Sequence, residues 1–194
     1  MKTRFLPLVL FGLAAAFAEP AALRVYHVGN SVTDTINYQG LQSMAQSAGQ
    51  TYTYGRHMIP GAPLDWIWNH PYDGFQEQPY GHYPNALPNY TWDVITLQPF
   101  DRLLNGEDGD INRVQSFMNL ALQRAANKDA QLYIYSRWPR RPESGGVFGP
   151  FNFQTLWDRN FSGGWDNTNE TRDFFKKLLT ATQNHYFPAV NPKL

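Results

Sequence analysis

The sequence predicts an α/β fold, a three-layer α/β/α sandwich with a parallel sheet. Three observations predict it. Short apolar runs alternate with amphipathic stretches in the order βαβαβαβα, an alternation that places helices on both faces of a parallel sheet. The first run, Leu23 to Val28, breaks at Gly29-Asn30 and gives way to a helical pattern soon after. The 194 residues suit one domain with a sizeable core.

The elements follow in order. Lys2 and Arg4, the apolar run Phe5 to Ala15, and Ala16-Phe17-Ala18 before Glu19 read as a secretory signal peptide over residues 1–18. A retained N-terminal anchor is the alternative. Residues 19–194 then form one domain, exported from the cell to the periplasm or the medium. After the first strand, a helix is expected from about Asn37 to Ala48. Leu41, Met44, Ala45 and Ala48 share one face, and Gly49 takes the C-terminal cap. Thr51 to Met58 alternates and reads as a strand. Pro60-Gly61-Ala62-Pro63 breaks the chain, and Pro63 opens a short helix, Leu64 to Asn69. His70 to Tyr90 lacks a period and reads as a long loop.

Trp92 to Leu97 is the next strand, ending in Gln98-Pro99-Phe100-Asp101. Asp110 is expected to cap a helix reaching about Ala126, with an apolar stripe of Val114, Phe117, Met118, Ala121, Leu122 and Ala125. Gln131 to Tyr135 is the last strand. Arg140 to Asn167 is irregular, and Asn169 to Tyr186 is a helix that turns Phe174, Phe175, Leu178 and Leu179 inward.

Composition excludes some functions. Sixteen basic residues against 16 acidic ones leave no basic footprint for nucleic acid or anionic lipid. With no cysteine there is neither a disulfide framework nor a thiolate metal site. His57, His70 and His82 have no spacing that suggests a metal site, and His27 reads as a packed strand histidine. Aromatic residues make up 15% of the chain, many in Pro- and Gly-rich stretches. They suit a sugar-binding surface, and equally the plugging of long loops.

Ser31 is the candidate nucleophile. A serine at the carboxyl end of a strand in an open α/β sheet has its hydroxyl clear of the sheet, with backbone N–H groups near. The same stretch also suits a turn that only caps the following helix. For Gly61, an oxyanion-binding N–H and a turn glycine of positive φ carry equal weight. Gln98 reads first as a strand-end residue satisfying backbone, and second as an amide donor.

Gly29-Asn30-Ser31, with Thr33-Asp34 close behind, resembles the first block of the SGNH (GDSL-like) hydrolases, where Gly-Asp-Ser carries the nucleophilic serine. The resemblance implies an SGNH/flavodoxin-like fold and ester hydrolysis through an acyl-enzyme on Ser31. It implies no cofactor and no metal. It places oxyanion donors at Ser31, at Gly61, and at Gln98, which stands where the family has Gly-x-Asn-Asp. The family's base lies in an Asp-x-x-His motif near the C-terminus. Here Thr182 precedes His185 at that spacing, so the sequence is expected to lack the C-terminal part of its domain. Export and loop aromatics favour O-acylated carbohydrate or a small ester as substrate, with no nucleic acid and no membrane partner after signal cleavage. The alternative is a non-catalytic glycan-binding protein on the same fold, and behind it a structural or surface-interaction protein.

Overall fold

The computed structural model describes residues 22–139 and 152–186. The expected signal peptide and the residues after Tyr186 lie outside that range. One five-stranded sheet organises the described chain: β1 (Ala22–Gly29), β2 (Thr51–Met58), β3 (Phe75–Gln76), β4 (Val94–Leu97) and β5 (Gln131–Ile134), in the order β3-β2-β1-β4-β5. β2, β1, β4 and β5 are parallel, whereas β3 pairs antiparallel to β2 at the edge. The sheet is therefore mixed, and mostly parallel. From β1 the chain steps outward to β2, then returns past β1 to β4. That reversal creates a crevice beyond the carboxyl ends of β1 and β4, the usual ligand position in flavodoxin-like α/β sheets.

Handedness decides where the helices go. Right-handed crossovers put α1 (Tyr38–Ser47) on one face, because β1 to β2 runs in one direction. The connections from β2 to β4 and from β4 to β5 run the other way, so α2 (Leu64–Asn69), α3 (Tyr83–Asn89) and α4 (Asp110–Leu122) lie on the opposite face. α6 (Arg172–Tyr186) packs on α4, and α5 (Phe153–Trp157) reaches α6 through Trp157 against Phe175. The main core forms there. Tyr26, Val28, Ile95, Leu97, Leu132 and Ile134 from alternate strand positions meet Leu64, Ile67, Leu87, Val114, Phe117, Met118, Phe174, Phe175 and Leu178.

Several expected boundaries hold closely, and others move. β2 and α2 span the expected residues, although Pro63 is the cap of α2 and not its first residue. The stretch taken as one loop, His70 to Tyr90, contains β3 and α3. α3 carries Pro84 in its first turn, where a missing N–H costs nothing, and Pro88 near its end. Asp110 is the first residue of α4, not its cap; Gly109 holds that place. α6 begins at Arg172, after a 3₁₀ turn over Asn167–Glu170. On α1 the expected inward stripe is largely outward, with Leu41 at 41% and Met44 at 69% exposure. Tyr38 instead anchors this helix, stacked 4.6 Å from Tyr54 of β2. Among the described residues α1 is alone on its face, with no second helix to pack against.

Candidate functional site

The carboxyl ends of β1, β2 and β4 converge because the three strands are neighbours. β1 ends at Gly29, where a side chain has no room. A Cβ there would lie 2.0 Å from Thr33 Oγ1 and 2.8 Å from Gln98 Cβ. Glycine thus lets the next turn fold back over the strand end. Asn30 is buried at 1% exposure and shapes that turn. Its Oδ1 accepts from Val32 N–H at 3.0 Å, and its carbonyl accepts from Thr33 N–H at 2.9 Å. A 3₁₀ turn over Thr33–Thr35 follows.

Ser31 sits exposed at the tip. Among the described residues its hydroxyl makes no hydrogen bond, and it caps nothing. The 3₁₀ turn has no side-chain cap, and α1 is capped by Asn37, whose side chain accepts from Gly40 N–H at 2.9 Å. The alternative of a serine kept only as a helix cap is therefore not met.

The Gly61 turn stands beside it. Ala62 N–H donates to Ile59 carbonyl at 3.1 Å, with Pro60 and Gly61 between them and Gly61 at φ +67°. This is a type II turn, whose third position needs a positive φ. The turn requires the glycine, and among the described residues its N–H has no partner. Two bonds fasten this turn to β1: Ile59 N–H donates to Gly29 carbonyl at 3.2 Å, and Asn30 Nδ2 donates to Ala62 carbonyl at 3.2 Å.

Gln98 lies beneath both turns, fully buried. Its Oε1 accepts from Asn30 N–H at 3.1 Å and its Nε2 donates to Pro99 carbonyl at 2.6 Å. The first sequence reading of Gln98, a residue satisfying backbone, matches this geometry. Its amide does not reach the surface that a substrate would touch.

Other charged groups brace the rim. Arg56, at the end of β2, pairs with Asp34 in the serine turn and with Glu77 at 2.7 Å. Beyond β4 and β5, Arg137 binds Asp101 at 3.1 Å and buried Glu170, and lies 4.2 Å over the Phe100 ring. Asp101 adopts φ 51°, uncommon for a non-glycine residue. Asp110 is fully buried with neither carboxyl oxygen hydrogen-bonded within the described residues, and burial pushes it well above the carboxylate range. On the flank, Arg113 and Arg102 approach Asp65, and Arg102 stands 5.4 Å from the Trp165 ring.

None of the four described histidine side chains hydrogen-bonds Ser31. His27 Nδ1 meets Thr96 Oγ1 at 2.7 Å and its Nε2 meets Tyr52 hydroxyl at 3.3 Å. His57 Nε2 donates to Asp73 carbonyl at 2.8 Å, which leaves Nδ1 to accept from Tyr83 N–H at 3.4 Å. Burial lowers both to about 4. His70 stacks on Trp66, and the His82 ring lies 4.8 Å from that of His57. The His185 side chain lies outside the described residues. No group of three metal-ligating side chains gathers among the described residues.

Sequence reading missed the link from Asn30 to Ala62 and the Arg137 cluster. The second had a signal: β4 and β5 run in register with Leu97 opposite Ile134, so acids and bases just beyond them must meet. The first had none, since nothing local pairs the amide of Asn30 with a carbonyl 32 residues away.

No family model matches the chain, and no curated protein matches it. Among solved structures, it is similar to the crystal structure of a DUF4886 family protein from Bacteroides uniformis ATCC 8492, at 18% identity and a TM-score of 0.46. The likeness covers 87% of this chain and 62% of that one, so the chain spans under two thirds of that protein's length.

Proposed function

We propose that the chain is an exported serine esterase of the SGNH type, acting through an acyl-enzyme on Ser31. One observation carries the reading. At the switch point of the sheet, an exposed serine hydroxyl stands beside a turn whose glycine N–H is exposed, and among the described residues neither group has a hydrogen-bond partner. A nucleophile needs an accessible hydroxyl, and a tetrahedral intermediate needs fixed donors for its oxyanion. The N–H groups of Ser31 and Gly61 are those donors. Gln98 supports the serine turn from below in place of donating.

In the first step Ser31 Oγ attacks the ester carbonyl carbon, its proton passes to a base, and the alcohol leaves. Water then cleaves the acyl-enzyme. None of the four described histidine rings hydrogen-bonds Ser31, and the resembled family draws its base from an Asp-x-x-His motif that this sequence does not contain. O-acylated carbohydrate is the preferred substrate class. Exposed Trp66, Tyr72 and Trp165 offer flat faces for sugar rings.

The same aromatics, with no base at Ser31 among the described residues, favour a second reading: glycan binding without turnover. The deciding experiment incubates the purified full chain with a fluorophosphonate probe and an aryl ester. Adduct on Ser31, and hydrolysis lost in Ser31→Ala, support the esterase. Glycan binding with neither labelling nor turnover supports the second reading.

A further inference from the structure

We infer that Asn30 is a positioning residue whose side-chain N–H, donated to Ala62 carbonyl, sets the Gly61 turn against Ser31. The inference rests on the esterase reading for its consequence in catalysis, and on geometry for the link itself.

The two partners of the Asn30 side chain differ in kind. Val32 offers a backbone N–H, which can only donate, and Ala62 offers a carbonyl, which can only accept. The amide therefore has one orientation, Oδ1 towards Val32 and Nδ2 towards Ala62. A side chain of this size must present one acceptor and one donor at once. Asparagine does so at every pH. Aspartate, the residue of the resembled motif at this place, presents two acceptors when ionised and sets a negative oxygen against the Ala62 carbonyl. Only its protonated form carries the missing donor.

The rest of the turn makes that single bond matter. Residues 59–62 attach to β1 at two points, Ile59 N–H to Gly29 carbonyl and Ala62 carbonyl to the Asn30 amide. Pro60 and Gly61 between them are exposed, and a Cβ on Gly61 would touch nothing within 4 Å. Among the described residues no packing holds Gly61 from outside. With the Asn30 donor gone, Ala62 keeps its packing in the core but its carbonyl loses its tie to the serine turn, and the exposed Gly61 N–H is free to shift from the oxyanion position. Asn30 is itself held by Gln98, so the path runs from β4 through Gln98 and Asn30 to the Gly61 turn.

Asn30→Asp tests this, because it converts a fixed donor into one that depends on pH. A buried acid that must donate keeps its proton well above the usual carboxyl value of about 4. The variant therefore carries the donor at low pH and loses it as pH rises through that raised value. Three readouts are taken against wild type from about pH 5.5 to about pH 8.5: thermal midpoint, amide NMR signals of Gly61 and Ala62, and ester hydrolysis. The expected result is a near wild-type variant at the acidic end. As pH rises, the Gly61 and Ala62 signals shift with a single midpoint, the thermal midpoint falls relative to wild type, and relative turnover drops about 100-fold, the scale of one oxyanion donor. KM is expected to change little.

The inference is overturned by signals, stability and turnover that track wild type at every pH. A deficit that does not vary with pH, or a variant unfolded even at the acidic end, overturns it equally. Should wild type hydrolyse no ester, the esterase reading fails, and the NMR and stability profiles still decide the link.

Discussion

Asn30 and Asn127 are both buried asparagines that spend their side chains on backbone groups, one at the carboxyl end of β1 and one below the amino end of β4. Asn127 accepts from Trp92 N–H at 2.8 Å and donates to the carbonyls of Leu87 at 3.1 Å, Tyr90 at 3.2 Å and Ala121 at 3.0 Å. It joins the ends of α3 and α4 to the start of β4. Trp92, locked above it at 1% exposure, also donates its indole N–H to Ala86 carbonyl at 2.9 Å. What Asn127 holds is sealed in the core, apart from the half-buried Tyr90. What Asn30 holds borders two exposed residues, Ser31 and Gly61, whose hydroxyl and N–H have no partner among the described residues. The chemistry of the two amides is the same. The difference lies in whether the scaffold they build ends in packing or in solvent, and it separates a stability device from a site.

The largest effect expected from breaking the open end is chemical. Ser31→Ala should lower ester hydrolysis by about 10⁴-fold or more, the scale for losing a nucleophile, with no change in thermal midpoint, because the side chain contacts no core. Turnover within tenfold of wild type in the folded variant would remove Ser31 from the reaction.

Breaking the sealed end should have the opposite signature. Asn127→Ala strands a buried N–H and up to two buried carbonyls, so stability is expected to fall by about 3 kcal/mol or more. The rate per folded molecule should stay the same. Urea unfolding alongside kinetics checks both halves, and a loss below about 1 kcal/mol would contradict the hub.

Acid should sharpen the contrast, since both histidines with lowered values belong to packed surroundings. In the folded chain His27 and His57 take up protons only near pH 4, whereas in the unfolded chain they do so near 6.5. Above 6.5 both states are neutral and stability is complete. As pH falls from 6.5 towards 4, protons bind the unfolded chain first and stability declines, then levels off below 4. Each histidine contributes at most about 3 kcal/mol to that decline. Urea midpoints stepped through this window would show it, and His57→Gln should flatten part of the slope. A profile that stays level from pH 7 to pH 4 would contradict the buried neutral rings.

The smallest effect is expected at the turn. Gly61→Ala keeps the N–H and meets no neighbour, but forces an alanine to φ +67°, a cost of about 1 kcal/mol. Its turnover should remain within a few-fold of wild type. Gly61→Pro removes the N–H and, because proline cannot adopt φ +67°, the turn with it, and should lower turnover about 100-fold or more. Equal rates in the two variants, with the fold confirmed by circular dichroism, would leave Gly61 as a turn residue only.

The sequence by itself determined the elements whose signal is local. The apolar runs of β1 and β4, the alternation of β2, the breaker Pro60-Gly61 and the stripe Val114, Phe117, Met118 and Ala121 on α4 are legible because periodicity and turn chemistry act over a few residues. The position of Ser31 at a strand end was legible for the same reason. Tertiary structure alone decided what those ends meet. α3 hides in an aperiodic stretch because it is held by Trp92 and Tyr83 packing, not by propensity, and β3 exists only as an edge added to β2. The outward Leu41 and Met44 follow from crossover handedness, which leaves α1 without a helical neighbour among the described residues. Gln98 turns inward and Asn30 reaches Ala62 because the order β2-β1-β4 brings three strand ends together. A hydrogen bond across 32 or 68 residues of chain has no local pattern to betray it; sheet order supplies the partner, and that order forms only when the whole sheet does.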